Sequence, residues 1–171
     1  MKRAEKTWII VAVVMIVIVV GAVPAIRYAR EKARRVKCLS PLACCLGKAM
    51  KMYSMDHNGK FPTSIVEMAE YAGNPKLFIC PGSDTFIPGS VRDMTNWGDY
   101  IYIYWPDGEK TPVDYPWLYD RKLSHHRGEG INVGFVGGGG YFDKGARDLI
   151  KFAKEHPELK IPMPEDLPRG R

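Results

Sequence analysis

From Trp8 to Ile26 the chain reads WIIVAVVMIVIVVGAVPAI, an apolar run with no charged side chain. An α-helix needs about 20 such residues to cross the hydrocarbon core of a bilayer, so the run predicts a membrane anchor. The competing reading is a cleaved secretory signal. Lys2 and Arg3 suit it, but the run exceeds the roughly 7–15 apolar residues of a signal core, and a cut after Val23-Pro24-Ala25 would leave a strongly basic new N-terminus.

Past Ile26 the pattern changes period rather than stopping. Ala29, Ala33, Val36, Leu39, Ala43, Leu46, Met50 and Tyr53 recur at three- and four-residue steps, with Arg30, Arg34, Lys37, Lys48 and Lys51 on other faces. That is an amphipathic helix, which continues the anchor outward as a stem. Pro24 lacks a backbone donor and is expected to kink it. Ser40-Pro41 offers either a second kink or the N-cap and first residue of a new helix. The sequence Asp56-His57-Asn58-Gly59 should end it, since Asn or Gly takes the left-handed conformation readily. From Trp8 to His57 a continuous helix would measure about 75 Å.

Beyond residue 59 the elements shorten. Thr63-Ser64 with Glu67 resembles a capping box opening a helix through Tyr71, closed by Gly73-Asn74-Pro75. Leu77 to Pro81, Tyr100 to Trp105, Trp117 to Tyr119 and Ile131 to Val136 read as strands, with Pro106-Asp107-Gly108 a turn. Lys144 to His156 predicts a last helix with Leu149, Ile150 and Phe152 on its apolar face. The expected organisation is an anchor over 1–26, a helical stem over 27–59, an α+β head over 60–157 and a proline-rich, disordered tail over 158–171.

Charge refines this picture. The net charge is +6, and residues 1–60 carry 12 Lys and Arg against 3 acids while the remainder carries 13 against 16. The basic excess therefore belongs to the stem, and a nucleic-acid-binding face on the folded head is not expected. The positive-inside tendency alone favours a cytoplasmic C-terminal side, and composition does not settle the orientation.

Candidate chemistry is sparse. Adjacent His125 and His126, with Glu129, could ligate a metal, but neighbours in a strand point to opposite faces, and a solvated polar loop is the expectation. Cys44 and Cys45 are helix neighbours that do not bridge readily. Cys38 and Cys80 are disulfide candidates if their Cα atoms lie within about 7 Å, and buried structural thiols are the competing reading. A nucleophilic cysteine paired with His57 or His126 lacks a recognisable flanking signature. Val136-Gly137-Gly138-Gly139-Gly140 is either a phosphate-cradling loop or the turn of a hairpin.

Taken in order, the proline near the end of the apolar span, then AREKARRVKC, KMYSMDHNGKFP, FICPGSD, and a glycine-rich strand pair after HRGEGINV resemble the type IV pilin-like proteins. The similarity is greatest to the pseudopilin G-like branch of type II secretion and covers Val20 to Phe142. It implies an α+β fold in which a long N-terminal membrane-spanning α-helix packs on a small antiparallel β-sheet head. It also implies that Gly137 and Gly138 form a hairpin turn, and that the loop acids Asp84, Asp93, Asp99 and Asp107 could take calcium. No other cofactor and no catalytic residue is expected. The N-terminal MKRAEKTWII has no Gly-Phe pair, and family spacing counted back from Pro24 puts Thr7 where members carry glutamate, so the resemblance does not extend to peptidase processing.

The resemblance implies a non-enzymatic subunit of a pilus-like filament or secretion pseudopilus. Its helix would sit in the bacterial inner membrane with the head outside the cytoplasm, and its partners would be copies of itself, related pilin-like subunits and the assembly machinery. The alternative is a single-pass anchored module that binds a glycan on the aromatic alternation Tyr100, Tyr102, Tyr104.

Overall fold

The computed structural model describes residues 3–87 and 98–168. The chain divides into two compact units, Met1–Ala33 and Arg34–Arg171. The first is helical throughout its described length and is the N-terminal part of α1 (Arg3–Ser40). Pro24 lies inside this helix, which runs on through it. It is the helix, among the described residues, that is long and apolar enough to cross a membrane, a test that an anchor and a signal sequence both pass.

The second unit is α+β and contains the end of that helix. At Pro41 the ladder changes to a π-helical turn over Pro41–Leu46 before α2 (Gly47–Asp56) resumes. Ser40 is neither an N-cap nor a break: its φ and ψ are helical and its side chain caps nothing. Proline removes one N–H and crowds the carbonyl a turn back, and widening the helix locally accommodates both without ending it. Left-handed Asn58 and Gly59 then terminate α2 where the sequence placed its stop.

Helix α3 (Ile65–Ala72) is capped by Ser64, whose hydroxyl accepts from the Glu67 amide, while the Glu67 carboxylate reaches back to the Thr63 amide at 2.7 Å. Gly73, with φ of 68°, closes it. Leu77 to Pro81 is not a strand. Asn74 accepts from the Lys76 amide and Pro75 presets the first turn, so the segment enters a 3-10 turn over Pro75–Phe78 instead.

Four strands form an antiparallel meander in chain order: β1 (Tyr100–Tyr102), β2 (Pro116–Asp120), β3 (Gly130–Phe135) and β4 (Gly140–Lys144). The register pairs Tyr100 with Asp120, Tyr119 with Val133 and Asn132 with Phe142, with a bulge between Pro116 and Leu118. β1 ends three residues earlier than the aromatic alternation suggested. Gly137 and Gly138 lie, as expected, in the turn that joins β3 to β4, and the left-handed residues there are Gly138 and Gly139, with φ of 89° and 76°. Gly137 instead packs on Val113, where a Cβ would stand 2.7 Å from the valine Cβ.

Because side chains alternate across a strand, β2 and β3 offer two faces, and both are covered. The helical segment lies on one: Leu42, at 0% exposure, meets Gly134, and Leu39 meets Gly140. α4 (Arg147–Glu155) and the chain after it lie on the other. The Tyr119 hydroxyl donates to the Pro162 carbonyl, the Glu165 amide donates to the Arg121 carbonyl at 2.9 Å, and Asp166 accepts from the amides of Leu123 and Ser124. The expected disordered tail is therefore docked as far as it is described, because its prolines alternate with Ile161, Met163 and Leu167, which pack on the core.

Candidate functional site

Four chemically active side chains meet inside the second unit: Cys38, Cys80, Asp120 and His126, all at 0% exposure. Helix α1 delivers Cys38 from its last turn. The Pro75–Phe78 turn delivers Cys80, the end of β2 delivers Asp120, and a 3-10 turn over Leu123–His126, closed by left-handed Arg127, turns His126 inward.

The contacts are short and mutual. Cys38 Sγ donates to Asp120 Oδ1 at 3.3 Å and lies 3.3 Å from the Tyr100 hydroxyl. His126 Nε2 lies 3.1 Å from Asp120 Oδ2 and 3.6 Å from Cys80 Sγ. Asn132 completes the group, its backbone amide donating to Asp120 Oδ2 at 2.6 Å and its Nδ2 lying 3.1 Å from the same oxygen and 3.0 Å from His126 Nε2.

Neighbouring residues hold this arrangement in place. Asp99 accepts from the Cys80 amide at 2.8 Å, from the Thr85 hydroxyl at 2.6 Å and from the Ser83 hydroxyl, which ties down the loop after Cys80. A Cβ at Gly82 would collide with the His125 carbonyl, so only glycine lets the two turns approach this closely. On the surface, Arg35 pairs with Glu129 and lies over the Phe142 ring at 4.2 Å.

Electrostatics couples the four. Interaction with the neighbouring Cys38 thiol holds the Cys80 thiol well below its ordinary value, against the opposing effect of burial and with help from both histidines. The same interaction, together with burial and Asp120, pushes the Cys38 thiol up. Burial lifts Asp120 and His126 opposes that lift. Burial works against charge on His126, but Asp120 and Cys80 outweigh it and raise the ring above its ordinary value. Each of the four groups thus shifts the titration of its neighbours, and they are not four independent sites.

The structure brings Cys38 and Cys80 together, their sulfurs within 4.8 Å, but both are free thiols and no disulfide joins them. Hydrogen bonds to Tyr100, Asp120 and His126 occupy the sulfurs instead. His125 and His126 do diverge, His126 toward Asp120 and His125 toward Asp99 at 3.7 Å, but they are not a solvated loop. Glu129 sits apart at the surface with Arg35. Cys44 and Cys45 are exposed rather than buried, because the wider π-helical turn presents them away from Leu42 and Leu46.

The calcium candidates do not act together. Asp99 is buried among hydroxyl and amide donors, Asp107 begins a 3-10 turn over Gly108–Lys110, Asp84 is exposed, and Asp93 lies outside the described residues. The tyrosine alternation is not a solvent-facing platform. Tyr100 is 1% exposed, Tyr102 donates to the Pro62 carbonyl at 2.6 Å, and only Tyr104 is open. An aromatic groove does lie elsewhere, between β3, β4 and α4, lined by Phe135, Tyr141 and Phe152 with Asp114 and Glu155. Its volume of about 220 Å³ falls short of the roughly 300–1,000 Å³ of ordinary ligand sites.

Sequence reading missed Asp120 and Asn132. Asp120 ends the apolar run Trp117-Leu118-Tyr119 and Asn132 interrupts Ile131-Asn132-Val133, and a polar residue in a core-facing phase was the available signal. No protein-family model matches the sequence, no curated protein matches it, and no solved structure matches its fold.

Proposed function

We propose that the chain is a structural subunit, held in the membrane by α1 and assembling through that helix with copies of itself or with related pilin-like subunits. One observation carries the reading. From Val11 to Val20 every large aliphatic side chain is exposed, with Ile16 at 61% and Val17 at 64%, and Val23 and Ile26 are exposed as well. An apolar surface on all sides of a helix needs either lipid or other apolar helices around it.

Small residues Ala12, Gly21, Ala22 and Ala25 allow close helix approach once lipid is exchanged for neighbours. Such a subunit needs no enzymatic residue of its own, and pilus or secretion machinery of the inner membrane would supply its partners.

Replacing Trp8 to Ile26 by an unrelated membrane helix tests this. Oxidative cross-linking of native membranes through the exposed Cys44 and Cys45 should give dimers and higher adducts for the natural chain and monomers for the swapped one. Unchanged adducts after the swap would show that the helix is only a tether.

A further inference from the structure

Two thiols, an imidazole and a carboxylate, all sealed from solvent, make a donor set suited to a tetrahedral transition-metal ion rather than to calcium, which selects oxygen. Zinc binds sulfur at about 2.3 Å and nitrogen or oxygen at about 2.0–2.2 Å, which separates neighbouring donors of a tetrahedron by about 3.3–3.8 Å. Two separations fall in that range, 3.6 Å from Cys80 Sγ to His126 Nε2 and 3.3 Å from Cys38 Sγ to Asp120 Oδ1, while His126 Nε2 stands 3.1 Å from the other carboxylate oxygen, Oδ2, and would move slightly outward around an ion. All four donors lie within 4.8 Å of one another.

We propose that Cys38, Cys80, Asp120 and His126 bind one zinc-like divalent ion, which fastens the last turn of α1 to the sheet and to the two turns beside it.

The surroundings suit a metal as well as the donors do. Asn132 Nδ2 lies beside the donor set, 3.0 Å from His126 Nε2 and 3.1 Å from Asp120 Oδ2, where it can hydrogen-bond the carboxylate while His126 Nε2 turns to a bound ion. Two thiolates and a carboxylate around a divalent cation leave one net negative charge. The Gly82 amide at 3.4 Å from Cys80 Sγ, the Tyr100 hydroxyl at Cys38 and the Asn132 amide at Asp120 are placed to offset it. Such outer hydrogen bonds orient ligands and tune a metal centre. The two rival states of the same atoms are a metal-free hydrogen-bond network and a Cys38–Cys80 disulfide.

Full-length protein in detergent, stripped with a chelator under reducing conditions, would be titrated with Co2+ and then Zn2+. One equivalent of cobalt should produce the intense visible bands of a tetrahedral site with thiolate-to-cobalt charge transfer, and zinc should abolish them. Changes to outer partners already weaken metal sites by about 10–100-fold, so Cys80→Ser or Cys38→Ser should lower affinity by more than about 100-fold. Cys44→Ser and Cys45→Ser, at exposed positions, should leave it unchanged. If a ligand variant fails to fold, the natural chain still decides. Absence of the tetrahedral spectrum at one equivalent overturns the proposal, and so does a Cys38–Cys80 disulfide in protein taken from membranes with its thiols blocked. Neither result bears on assembly through α1, which is read through Cys44 and Cys45.

Discussion

The contact of Leu42 with Gly134 fixes how the stem helix meets the sheet, and it can be tested by a double-mutant cycle. Leu42 is fully buried in the π-helical turn. Leu42→Ala removes its transfer free energy and leaves a cavity, for which buried leucines lose about 2–5 kcal/mol. At Gly134 a Cβ would stand 2.5 Å from Leu42 Cδ2 and 3.1 Å from Trp117 Nε1, with the Leu118 carbonyl at 3.5 Å. The Gly134 backbone is not left-handed, so alanine is conformationally allowed there and its cost is steric. Confined between two buried side chains, that overpacking should cost about 1–3 kcal/mol. Leu42→Ala deletes the atom at 2.5 Å, so in the double variant the new methyl occupies part of the cavity. The pair should then be more stable than the sum of the two losses by about 1–2 kcal/mol, on the order of a 10-fold change in the unfolding constant. Urea unfolding of the full chain in micelles, followed by tryptophan fluorescence, gives all four corners of the cycle. Additivity within about 0.5 kcal/mol would refute the placement of the helix on β3.

Two further outcomes follow from the division of the chain and from the docked C-terminal segment. A truncation beginning at Arg34 should fold and melt cooperatively, whereas one beginning at Lys60 should not. The second removes buried Leu42, Leu46 and Met50, each worth about 2–5 kcal/mol against a whole-domain stability of about 5–15 kcal/mol, and circular dichroism melts would separate the two. Asp166 is exposed, and the desolvation it does feel disfavours its charge, but hydrogen bonding from the Ser124 side chain and amide and from the Leu123 amide outweighs this and holds its carboxyl below the ordinary value. Because the folded value is the lower one, its stabilisation is present above the ordinary carboxylate value of about 3.9 and is lost as pH falls through the folded value. Hydrogen exchange at the Glu165 amide should therefore accelerate on acidification, and Asp166→Asn should flatten that dependence. An unchanged profile would mean that Asp166 does not hold this segment.

How much was legible in the sequence depended on the range of the interaction. The helical stem, the Asn58-Gly59 stop, the Ser64 cap with Glu67 and the strands around Leu118 and Val133 are set by neighbours within a few residues, and their residue types declare them, but the buried face of the stem runs through Cys38, Leu42, Leu46, Ala49 and Met50 and leaves the expected Val36 exposed. The turn at Asn74-Pro75 was misread because Leu77 to Ile79 looks β-like to periodicity, whereas one hydrogen bond from the Lys76 amide to Asn74 decides the local geometry. Gly137 and Gly139 could not be told apart in a run of four glycines, since the distinction lies in Val113, distant in sequence. The docking of Ile161 to Leu167 was hidden because proline density suggests disorder, and the polar anchors it meets belong to Leu123 and Ser124.

The polar cluster was illegible for the same reason, since its members are drawn from positions 38, 80, 120, 126 and 132, and no local rule joins them. A core position costs free energy when it holds an ionisable group, and apolar residues of similar volume usually stabilise a fold at least as well. Here four ionisable groups and an amide share one sealed site between a helix, two strands and two turns, while Leu42, Leu46 and Leu118 pack normally nearby. Polar residues that break the hydrophobic pattern in this way tend to mark sites kept for a purpose other than packing. A bare hydrogen-bond network would need only matched donors and acceptors, and serine, asparagine or glutamine could supply them. Two sulfurs within 4.8 Å of an imidazole and a carboxylate are the donor types that a zinc-like ion takes, and the cobalt titration separates the proposed metal centre from a metal-free polar network.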